Sequence, residues 1–171
     1  IYLALGITMA NYTAQNFGAN KISRIKEGAK ISIRLVFIIT VISVLILALF
    51  SEQITSVFME VPDNEVVQLA SLYLHIIMIF LFFLGALLVY RNILQGIGSV
   101  GTPLLSGFVE LIVRGASAIA LAKYFSFAGL CFATPLAWLS GAIVLFSGYR
   151  LNLYRKLKKT KKNGIKRING R

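Results

Sequence analysis

The chain has 171 residues, 57% of them hydrophobic, and a formal net charge of +12. Its mean hydropathy of +0.79 means more apolar surface than a water-soluble fold of this size can hide. One cysteine, Cys131, and one histidine, His75, exclude an intrachain disulfide framework and give no metal-ligand spacing.

A hydrocarbon core of about 30 Å needs roughly 20 apolar helical residues, and five stretches approach that length. Residues 1–17 read as the end of a first helix. The sequence opens inside it, with neither Met nor a leader pattern, which predicts a piece of a longer polypeptide. A basic loop over 20–34 follows, where Lys21, Arg24, Lys26, Lys30 and Arg34 outweigh Glu27. The second helix is predicted over 31–51, then an acidic loop with Glu52, Glu60, Asp63 and Glu65, turned by Pro62-Asp63-Asn64. The third helix is predicted over 66–95. Gly96, Gly98 and Gly101 spell G-x-G-x-x-G, but a membrane helix precedes them and Pro103 follows, so they read as a tight interhelix turn and not a nucleotide loop. The fourth helix, 103–123, carries Pro103 in its first turn, where a missing N–H costs little. The fifth, 127–150, contains Pro135, a predicted kink and candidate hinge. It also has small residues at four-residue spacing, Ala133, Ala137 and Gly141, a close-packing face. The fold class is therefore all-α integral membrane, a bundle of about five transmembrane helices.

The basic and acidic loops alternate, and residues 150–171 form a basic tail of ten Lys and Arg with no acid. Positive charge marks the cytoplasmic side, so the C-terminus is expected in the cytoplasm. The tail explains the net charge without nucleic acid, and membrane lipids with anionic headgroups are its expected partners.

Inside the predicted spans, Glu110 and Arg114 stand four residues apart on one helix face. Counted from Pro103 they lie about 10 Å and about 16 Å into the helix, where unpaired charge is expensive. They are expected to pair, on a seam continued by Gly107, Ser117 and Ala118. Either Glu110 carries a proton or cation with Arg114 tuning it, or the pair is a strut. His75 is alone on its helix and reads as an interfacial side chain, and Asn11-Tyr12-Thr13 matches a glycosylation sequon at a helix end. There is no Walker motif, nucleophile–base arrangement or zinc spacing, so neither an enzyme nor a cofactor is indicated.

Two segments carry a family resemblance. Residues 11–21, NYTAQNFGANK, resemble the helix-end signature of the multidrug and toxic compound extrusion (MATE) family. Residues 90–98, YRNILQGIG, followed by Thr102-Pro103 and by Glu110 to Arg114, are similar to that family's tenth-to-eleventh helix region. The resemblance covers residues 1–149. It implies the eighth to twelfth helices of a twelve-helix, two-lobe transporter, with an N-terminal lobe missing from this chain. It further implies a bacterial cell membrane, no cofactor, and exchange of H+ or Na+ for organic, often cationic, drug-like substrates by alternating access. Many Na+-coupled relatives carry a carboxylate within the tenth helix; residues 66–90 have none, so the resemblance points to H+ coupling with the decisive acid outside this chain. The candidate cavity-lining residues are Asn11, Gln15, Tyr90, Asn92 and Gln95, for each of which helix capping or interhelix bonding is the alternative. A lipid-linked saccharide flippase of the same superfamily and a non-transporting membrane scaffold are the competing functions.

Overall fold

A computed structural model describes residues 1–57 and 64–169, with side chains through Asn152. The acidic-loop residues Glu60, Pro62 and Asp63, and the side chains of the basic tail from 153 onward, lie outside the described residues.

Four helices follow in order: α1 (Tyr2–Gly18), α2 (Ile22–Val57), α3 (Asn64–Gly96) and α4 (Gly101–Asn169). Helix α4 is two arms, 101–125 and 127–169, broken at Ser126 with φ 49° and ψ −128°. The arms lie antiparallel, since Gly148 meets Thr102 and Gly141 meets Glu110. By length and composition α2, α3 and α4 are each able to cross a membrane, and α4 crosses and returns.

Helix α2 starts nine residues before the predicted span. The stretch read as a basic loop is helical because Ile22, Ile25, Ala29, Ser32 and Val36 fall at three- and four-residue spacing and are all buried. Lys21, Arg24, Lys26 and Lys30 stay exposed on its outer side or just before it. The buried stripe lies on α1, where Tyr12 Oη donates to Arg24 O at 3.2 Å. Further along, Tyr2 Oη and Thr40 Oγ1 share a hydrogen bond of 2.8 Å.

Helices α1 and α3 end alike. Each chain reversal uses one left-handed residue, Asn20 (φ 59°) or Gly98 (φ 74°). The amide of the next residue bonds back to the helix, Lys21 N to Asn16 O and Ser99 N to Leu94 O, the Schellman pattern. Only glycine adopts Gly98's backbone without strain, aside from short polar residues such as the Asn at position 20. The glycine triplet is thus an interhelix turn.

Helix α3 is the centre of the bundle. Val36, Val89 and Ile93 join α2 to α3, and Leu87, Leu94, Ala142 and Leu145 join α3 to the second arm of α4. Ala133 and Ala137 are buried, and Gly141 seats the first arm, so the small-residue face packs as expected. Pro135 is fully buried, and the non-helical residue of α4 is Ser126, nine positions earlier. The break therefore falls at the hairpin turn and not at the proline.

The outer surface is apolar. On α2, Phe37, Ile38, Ile42, Leu45 and Leu49 are all about half or more exposed, and 11% of the helix's most apolar window is buried. A water-exposed surface cannot sustain such a stripe; lipid can.

Candidate functional site

The charged centre of the bundle sits between α3 and α4. Arg91 Nη2 donates to Glu110 Oε1 in an ion pair. Ser106, one turn before Glu110, donates to the same oxygen at 2.6 Å. Ser106 also lies 3.4 Å from Gly141 O on the second arm. The clasp therefore ties three passes together. It fits because residue 141 is glycine. A Cβ there would fall 2.5 Å from Glu110 Oε1 and 2.7 Å from its Cδ and Cγ.

This corrects the predicted partnership. Glu110 pairs with Arg91 of α3 and not with Arg114 of its own helix. Tertiary packing brings Arg91 onto Oε1, whereas Arg114 lies on the exposed side of α4. Nor is the burying seam the expected one. Gly107 is exposed, and Ser117 bonds its own backbone at Val113 O, 2.5 Å. Ser106 and Gly141 bury the carboxylate instead. Glu110's side chain is 13% exposed and that of Arg91 28%, so this is a half-sheltered pair with an opening.

That opening is a cleft of about 520 Å³. Arg91, Gln95 and Glu110 supply its polar lining; Val100, Pro103, Leu104, Phe108 and Leu111 supply most of the rest. Both donors to Glu110 fall on Oε1, so Oε2 receives none among the described residues. A carboxyl oxygen beside aromatic and aliphatic surface is chemically suited to a cation with an apolar body.

The candidate cavity-lining residues are not brought together. Gln95 lines the charged cleft. Tyr90 points elsewhere, packing on Phe146 and Tyr149 with ring centroids 5.3 and 5.1 Å away, beside an apolar hollow of about 240 Å³. Asn92 donates to Leu88 O at 2.9 Å and sits under Gly6 of α1. Asn11 and Gln15 lie on the exposed face of α1. His75 Nδ1 donates to Ser71 O at 2.7 Å. Among the described residues no group of three His, Cys, Asp or Glu is placed to hold a metal.

Sequence reasoning did not single out Arg91 as a partner for Glu110. The available signal was its position inside the predicted third helix, one turn before that helix ends. Ser106, four residues before Glu110 on the same face, was equally legible.

A helical bundle with an apolar exterior and an ion pair sheltered inside is the architecture of a multi-pass membrane protein. The MatE family model matches residues 1–118, and the chain belongs to that family. A solved structure, described as the inward-facing conformation of a multidrug resistance MATE family transporter of the MOP superfamily, shares the fold with a TM-score of 0.80 at 19% identity. The match covers 92% of this chain and 38% of that one, so the chain spans well under half the length of that transporter. No curated protein matches the chain.

Proposed function

We propose that this chain is the larger part of the C-terminal lobe of a secondary active exporter that expels organic, often cationic, compounds in exchange for H+. The observation that carries the reading is a MatE-family chain whose bundle opens on an amphiphilic cleft with a carboxylate in its wall. Alternating access of two lobes would couple the ion gradient to substrate movement. The absence of a carboxylate in residues 66–90 favours H+ over Na+ at this lobe. The end of the bundle where Ile22, Ile25 and Tyr149 share one core cluster, with the exposed Lys21, Arg24 and Arg150 next to them in sequence, would face the cytoplasm of a bacterial cell.

Within this reading Glu110 is a strut. Arg91 and Ser106 both hold its Oε1 and Gly141 of the second arm backs the carboxylate, so it ties α3 to both arms of α4. The test uses the full-length transporter expressed in cells. Accumulation of a fluorescent cationic dye should fall, and a protonophore should restore it. Unchanged dye levels would refute drug export.

One observation favours a second reading, the lipid-linked saccharide flippase. Arg91 lines the cleft and the exposed Arg114 continues the same face of α4 beyond it, and cations are what a phosphate requires. Failure of dye export, together with loss of saccharide delivery across the membrane on deletion, would support it.

A further inference from the structure

Arg114 is exposed, and its side chain makes no ion pair or hydrogen bond among the described residues. It stands thirteen residues after Gly101 and twelve before the break at Ser126. At 1.5 Å per residue it is about 20 Å from one end of the arm and about 18 Å from the other. A guanidinium midway along a membrane pass cannot easily reach either headgroup layer, and a lipid-facing charge at that depth is strongly disfavoured.

Glu110 does not resolve the problem. If Arg114 turned back onto Oε2 it would share one carboxylate with Arg91, and one positive charge would remain whichever arginine held it. Arg114 also continues the stripe of Gly107 and Leu111 at helical spacing, so the cleft and the unbalanced cation share one face of α4.

We propose that this face of α4 is not lipid-facing but an interface with another transmembrane helix of the same transporter, one that presents a carboxylate to Arg114 near the bilayer midplane. The inference rests on the chain being part of a larger MATE transporter, and the relative's greater length leaves ample helix to supply the partner. Charge complementarity selects the occupant: an apolar helix with one acid satisfies Arg114 and supplies the facing wall of the cleft opposite Leu104, Phe108 and Leu111, which are 57–69% exposed here.

The test is the thermal midpoint of the full-length transporter in detergent, which needs no transport assay. Arg114→Leu should lower it by several degrees, because a buried carboxylate is left alone, and Arg114→Lys should restore most of the loss. Arg114→Glu should be worse than Leu, and second-site suppressors should remove or reverse an acidic residue in a transmembrane helix outside this chain. A midpoint raised by Arg114→Leu would place the residue against lipid, and an unchanged midpoint would place it in water. Either result overturns the interface. Suppressors confined to residues of this chain, or to a face that joins two copies of it, overturn the named partner. Dye export failing while the Arg114→Leu loss persists would reject the exporter reading and leave the interface standing.

Discussion

Replacing Gly141 by alanine adds one methyl group where the Glu110 carboxylate already lies. The new Cβ would sit 2.5 Å from Oε1 and 2.7 Å from Cδ and Cγ, inside any acceptable contact. The obstructing group is no loose side-chain end, because Arg91 and Ser106 hold Oε1 from two directions. Either the two arms of α4 part or Glu110 leaves its partners. Overpacking of this kind costs about 1–3 kcal/mol. Losing the largely sheltered ion pair adds about 1 kcal/mol, and alanine's better helix propensity returns about 1 kcal/mol. The net expectation is about 1–3 kcal/mol of destabilisation, read from thermal or denaturant unfolding of the full-length protein in detergent. Gly18→Ala is the control, since a Cβ there meets nothing within 4 Å; it should be neutral or stabilising by up to about 1 kcal/mol. Glu110→Ala in the Gly141→Ala background should remove the clash, so the two losses should be clearly less than additive. Equal effects at Gly141 and Gly18, or simple additivity, would refute the packing of Glu110 against the second arm.

Three further outcomes are expected. Glu110→Gln should leave dye export coupled to H+ while weakening the apparent affinity for the cationic dye and lowering stability by about 1 kcal/mol; loss of H+ coupling with unchanged stability would make Glu110 a coupling residue. Gly98→Ala should cost about 1–2 kcal/mol, since its φ of 74° forces the left-handed region on a residue with a Cβ. Neutrality in an unfolding titration would deny that backbone conformation. Pro135→Ala should slow transport without changing the unfolding midpoint if the proline is a hinge, whereas a pure packing role for this buried ring predicts a lower midpoint by about 1 kcal/mol or more and an unchanged rate per folded molecule.

The passes were legible because lipid imposes a length and an apolarity that no soluble helix needs. The turn at Gly98 was legible from glycine spacing. The start of α2 was misplaced because charge density in 20–34 masked the buried stripe through Ile22, Ile25 and Ala29. The helix keeps its cations on the outer side while that stripe packs on Tyr12 and Met9. The Glu110 partnership was misread for a related reason. Spacing along one helix reveals Arg114 as a neighbour, but it carries no information on which residue of α3 packs alongside. Arg91 became visible as the partner only once α3 was laid against α4. The five candidate cavity residues scattered because they were chosen by polarity and helix-end position, and Tyr90, Asn92 and Gln95 point in three directions from a single helix.

The most direct measurement reconstitutes the full-length transporter in liposomes and imposes a pH gradient in the absence of ATP. Movement of a cationic dye against its own gradient, opposite in direction to the protons and stopped when they equilibrate, is the expected result. Dye flux indifferent to the proton gradient, or equal to that of protein-free liposomes, would contradict a proton-coupled exporter.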